Sequence, residues 1–170
     1  GSIRIMAAGE NINTDISDEI VIGYDTTSYA AVPGNQVSSF DISSMATSPS
    51  QANELMRFRI TDAGSDGAPT HLMKIRLNRA NTVNAATLNK AIEGVMVKLG
   101  DNYISFSSVD IKTSTIDITF PPGALTIPDG QTIELGIWVY LKNSGISDNQ
   151  TIQLYIDKLN PGFEAYDIGS

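Results

Sequence analysis

Two runs that alternate apolar and polar residues flank a stretch rich in turn formers, and this arrangement constrains the chain more than any other feature. On one side Met56, Phe58 and Ile60 alternate with Arg57 and Arg59; on the other Met73, Ile75 and Leu77 alternate with Lys74 and Arg76. Between them lies Asp62-Ala63-Gly64-Ser65-Asp66-Gly67-Ala68-Pro69. A period of two places the apolar set on one face of a strand, and Asp, Gly, Ser and Pro supply tight backbone geometry. The stretch therefore predicts strand, turn, strand, with a hairpin as the plain reading of the turn.

The same grammar continues downstream. Thr115–Phe120 alternates, Pro121-Pro122-Gly123 breaks it, and Ile127-Pro128-Asp129-Gly130 is a further turn. Thr132–Leu141 is the strongest strand, with Ile133, Leu135, Ile137, Val139 and Leu141 inward. Val95–Leu99, Tyr103–Val109 and a last strand carrying Ile152, Leu154 and Ile156 complete this part. Upstream, Glu19–Tyr24 and Gln36–Ile42 also read as strands. One segment departs from period two. Leu88, Ala91 and Ile92 recur at helical spacing, so a short helix is expected near 84–93, capped by Asn84 and ended by Gly94. Many short strands with regular turns and one helix predict an all-β, antiparallel β-sandwich of Ig-like or jelly-roll-like type. The 170 residues suit a single domain, 1–170, with N-terminal strands and loops over 3–50 and a recognisable module over 54–157.

Charge and composition exclude several classes. With 11 Lys+Arg against 19 Asp+Glu and no basic cluster, nucleic acid is not an expected partner. No apolar run approaches a membrane-spanning helix, so membrane insertion is not expected either. Cysteine is absent, which removes disulfides, thiolate metal sites and cysteine nucleophiles. Gly1-Ser2 reads as a cloning remnant, and the chain as a piece excised from a larger protein.

The order of signals also carries a resemblance. Phe58-x-Ile60-x-Asp62-x-Gly64-x-Asp66-Gly67-x-Pro69-Thr70, the short helix, Ile116-x-Ile118-Thr119-Phe120, Ile127-x-Asp129-Gly130, Leu135-x-Ile137-Trp138 and Asp148-Asn149 follow one another over residues 54–157. This series resembles a β-rich module of large Bacteroidetes surface and secreted proteins, gliding- or adhesin-like, including cargo of the type IX secretion system. The resemblance implies an extracellular or cell-surface location. It also implies a non-catalytic structural or adhesive role beside neighbouring domains, with a cell-surface protein or polysaccharide as possible partner.

Three groups of residues invite chemistry. Asp62 and Asp66 around a glycine turn, joined by Asp148 or Asn149 from another loop, would converge oxygens on calcium. The EF-hand pattern is not met, because Met73 stands where that loop needs glutamate, and the alternative is a turn whose Asp side chains cap backbone N–H groups. Trp138, Tyr140 and Tyr155 fall on the polar side of their strands, where aromatic rings could stack sugars while Arg57 and Arg59 meet hydroxyls. Cross-strand packing or coverage by other parts of the chain is the other account of these rings. For catalysis, His71 is the single histidine and no nucleophile elbow accompanies it. Asp110 with Asp117, or Asp15 with Glu19, are the carboxylate pairs that could be nominated, and separation in space defines such a pair. The expectation is a protein that is not an enzyme, with a carbohydrate-binding module as the alternative function.

Overall fold

The alternating runs on either side of residues 62–69 and the run Thr132–Leu141 become strands with one face buried, and the sheets form where such faces meet. The computed structural model describes residues 2–3, 29–31, 33–63, 67–156 and 163–167. The elements begin with β1 (Ser2–Ile3), β2 (Tyr29–Ala31), β3 (Phe40–Asp41), β4 (Asn53–Thr61) and β5 (Thr70–Arg79). They continue with α1 (Leu88–Ala91), β6 (Ile92–Leu99), β7 (Asn102–Ile104), β8 (Ser108–Ile111) and β9 (Thr115–Thr119). The last are β10 (Thr126–Ile127), β11 (Thr132–Leu141), β12 (Leu154–Tyr155) and β13 (Phe163–Asp167).

These strands make an all-β sandwich. One sheet runs β2-β4-β11-β6-β7. In the other, β5 pairs with β9 and β10 in succession along one edge and with β13 and β12 along the other, while β8 pairs with β9. Pairing within both sheets is antiparallel. A single apolar cluster fills the space between them, with Phe58, Ile60, Leu135 and Ile137 from the first sheet and Leu72, Ile75, Ile116 and Ile118 from the second. Each such side chain contributes about 1.5–3 kcal/mol when fully removed from water, so the core is the main source of stability.

The stretch 57–77 is not a hairpin. β4 lies between β2 and β11, whereas β5 is the central strand of the opposite sheet. The chain therefore passes from one sheet to the other, about 10 Å away, between the end of β4 and the start of β5. Asp62, fully buried, fixes the crossing: its Oδ2 accepts hydrogen bonds from the Thr70 backbone N (2.9 Å) and Oγ1 (3.1 Å). Tyr103–Val109 is likewise divided. β7 belongs to the first sheet and β8 to the second, with 105–107 passing between them.

Bulges rephase the alternation. In β4 the register with β11 shifts so that Ile137 faces Met56 and Trp138 faces Glu54, leaving Leu55 unpaired, and Leu55 and Met56 are both buried. In β5 the buried positions run Thr70, Leu72, then Ile75 and Leu77, so Met73 is half-exposed instead of inward. Ile133 at the start of β11 is also half-buried. The helix is shorter than expected and its cap differs. α1 spans four residues after Thr87, Asn84 takes a left-handed conformation (φ 58°), and Gly94 sits inside β6. Of the expected strand Gln36–Ile42, only Phe40–Asp41 forms one, and Glu19–Tyr24 lies outside the described residues. Among the described residues no helix is long and apolar enough to cross a membrane.

Candidate functional site

The outward face of the five-stranded sheet holds most of the singled-out side chains. β11 presents Trp138 and Tyr140 there, because Ile137, Val139 and Leu141 turn into the core. β4 presents Arg57 and Arg59, between the buried Met56, Phe58 and Ile60. Tyr155 is elsewhere. Its strand β12 pairs with β5 in the opposite sheet, with Leu154 and Ile156 buried on either side, so it lies on the far face of the sandwich from Trp138. The three aromatic residues do not form one platform.

Around Trp138 the face is built on a glycine. Gly136 pairs with Arg57 on β4 and with Lys98 on β6, and its missing side chain leaves a cleft of about 300 Å³. A Cβ at Gly136 would stand 2.6 Å from Glu54 Oε1 and 3.1 Å from Trp138 Nε1, so carboxylate and indole both lie over the bare backbone. Glu54 is held there by a two-pronged ion pair with Arg57 (Nε–Oε1 2.8 Å, Nη2–Oε2 2.7 Å), and this pairing raises the Arg57 pKa. Arg59 Nε donates to Glu134 Oε2 at 2.9 Å. Lys98 places its Nζ 3.8 Å from the centroid of Trp138 and 4.6 Å from that of Tyr103, a cation–π contact with each ring. Tyr140 has its own seat. It faces Gly94 across the strands, and a Cβ at Gly94 would collide with the Tyr140 ring and hydroxyl, so the ring lies on the glycine backbone. Gln36 completes the ladder beside β4: its amide donates to Arg57 O (2.8 Å) and accepts from Arg57 N (2.8 Å).

Glu54, Lys98, Gly136 and Glu134 are the members of this face that sequence reading left out. Gly136 was discoverable, since a glycine in a strand interior marks a close approach. Glu54 was not, since only the bulge at Leu55 brings it to the outward side.

Of the calcium candidates, Asp62 and Asp148 stand at opposite ends of β11. Asp62 donates its backbone N to Gln131 O (2.9 Å), at the start of β11, and Asp148 stands in the loop after the end of that strand. The ten residues of β11 separate these ends by about 30 Å. Asn149 is exposed in a left-handed conformation (φ 63°), and Asp66 lies outside the described residues. Among the described residues there is no group of three or more His, Asp or Glu arranged to hold a metal.

The carboxylate pair Asp110–Asp117 does meet. The two residues face one another across β8 and β9 on the outward side of the second sheet. Cations separate their charges: Arg76 grips both oxygens of Asp117, and Lys112 Nζ reaches Asp117 at 3.0 Å and Asp110 at 3.3 Å. The Arg76 hydrogen bonds, more than the other contacts, pull the Asp117 carboxyl down to about 2, against the cost of its burial. A group so acidic holds no proton to give at neutral pH. Asp15 and Glu19 lie outside the described residues. His71 Nδ1 shares a hydrogen bond of 3.0 Å with Thr126 Oγ1 on the neighbouring strand.

Comparison with known proteins finds no matching family model, no matching curated protein and no matching solved structure.

Proposed function

We propose that the chain is a non-catalytic structural or adhesive module of a bacterial surface or secreted protein, acting outside the cell as a rigid unit between neighbouring domains. The contact of Lys98 with Trp138 carries this reading. A sugar stacks on an open indole face, and here an ammonium occupies the position 3.8 Å from the ring centroid. The surrounding charges are committed to one another, Glu54 with Arg57 and Arg59 with Glu134, which suits a surface that resists rearrangement more than one poised for a ligand.

The second reading is a carbohydrate-binding module, and the cleft over Gly136 favours it. Its lining combines Trp138 with Glu54, Arg57, Asp101 and Glu134, groups that pair readily with hydroxyls. Affinity electrophoresis against a panel of soluble polysaccharides separates the two. The structural reading expects unchanged mobility on every member. Retardation that disappears in Trp138→Ala, with the fold retained, would replace it by the carbohydrate reading.

A further inference from the structure

At the end of the sandwich where β11 finishes, a pocket of about 180 Å³ opens between the end of that strand, α1 and the neighbouring loops. Ile42, Leu141, Ile152, Ala86 and Ala91, all buried, line it together with the half-buried Ile146 and Gln150. Ser44, Ser147 and Asp148, all exposed, border it on the solvent side, and Asp148 is the one charged side chain in its lining. Two of the three large hydrophobic side chains exposed among the described residues stand next to it. Met45, 73% exposed, lies between Ser44 and Ala46, and Ala46 O accepts a hydrogen bond from Leu141 N. Val83, 83% exposed, is tied through its carbonyl to Thr151 Oγ1, one residue from Ile152 of the lining.

The volume limits the occupant. Small-molecule sites run to about 300–1,000 Å³, whereas an apolar cavity of about 150 Å³ takes a benzene ring. The pocket therefore holds a group the size of one apolar side chain. Exposed aliphatic residues at its mouth add contact area that a single inserted group leaves unused and a polypeptide covers. The carboxylate of Asp148 selects a cation beside the inserted group, since like charge at a partly desolvated rim is costly.

We infer that this pole of the sandwich is a docking site for a partner protein segment that inserts one Leu- or Phe-sized side chain flanked by Lys or Arg. The inference rests on the adhesive reading above and specifies its contact. Met45 and Val83 close over the segment and Asp148 pairs with its cation, as an apolar anchor inside a polar rim.

The test is an amide NMR titration of the whole chain with a blocked hexapeptide, Gly-Ser-Phe-Lys-Ser-Gly, and its Phe-to-Ala and Lys-to-Glu relatives. Expected are shifts confined to 43–47, 82–86 and 146–151, lost with the Ala peptide and weakened about tenfold with the Glu peptide, a difference typical of one charge pair. Asp148→Lys, an exposed substitution that spares the core, should invert the preference between the Lys and Glu peptides. Absent shifts, shifts elsewhere, or a preference unmoved by Asp148→Lys would overturn the proposal. So would a concentration-dependent dimer abolished by Met45→Ser, which would assign the surface to a second copy of the chain. Polysaccharide retardation bears only on the adhesive reading, so each can fail without the other.

Discussion

Glu54 and Arg57 stand three residues apart on one strand and yet share a face, joined by hydrogen bonds of 2.8 and 2.7 Å. Regular alternation sends such residues to opposite faces. The bulge at Leu55 absorbs one residue, so Leu55 and Met56 both enter the core and Glu54 turns outward beside Trp138. That one inserted position brings Glu54 into the lining of the cleft over Gly136.

The Lys98 contact predicts a spectroscopic change. Lys98→Ala should expose the face of the single tryptophan and raise its quenching by acrylamide. The lost cation–π contacts should cost about 0.5–1 kcal/mol in a urea unfolding experiment. Quenching equal to that of the unaltered chain would show that the ring face is already open.

Tyr140 and Gly94 should be strongly coupled. Gly94→Ala places a methyl group where the ring lies and should destabilise by about 1–3 kcal/mol. In a Tyr140→Ala background the same change should be neutral or stabilising by up to about 1 kcal/mol, since alanine restricts the unfolded chain. A double-mutant cycle reads the difference, and additivity of the two changes would contradict the packing described.

Asp117 sets a stability change at acid pH. Its carboxyl is lowered from 3.8 to about 2, so the folded state favours the ionised form. The resulting stabilisation, roughly 2 kcal/mol, is complete above the unfolded value and is lost as pH falls from about 4 to about 2. Asp117→Asn should be less stable at neutral pH, and the gap to the unaltered chain should close across that window. Urea midpoints measured at several pH values check both.

Asp62 should matter for the fold whether or not any ligand binds. Asp62→Ala removes the acceptor of two buried Thr70 donors. The expected loss is about 1–3 kcal/mol, the cost of removing an acceptor from buried hydrogen bonds. Asp62→Asn, which keeps one acceptor oxygen, should lose less. Thermal unfolding of the two variants orders them.

Much of the candidate site was visible in the alternation of single strands. Arg57, Arg59, Trp138 and Tyr140 face outward because Phe58, Ile60, Ile137 and Val139 face in. Tyr155 obeyed the same rule on its own strand and still ended on the other side of the molecule, because which sheet β12 joins is not a property of β12. Asp62 and Asp148 were grouped by residue type, and the length of β11 keeps them apart.

Read alone, the chain determines its class and the burial of most strand positions. Period two is written locally, and Ile75, Leu77, Ile116 and Leu135 enter one core wherever their strands pair. Only the tertiary structure decided that β4 and β5 lie in opposite sheets, that β7 and β8 do likewise, and that Glu54 crosses to the outward face. Strand pairing and bulges are set by partners distant in sequence: each strand settles where its hydrogen bonds and its apolar face are satisfied together, and no local pattern encodes that choice.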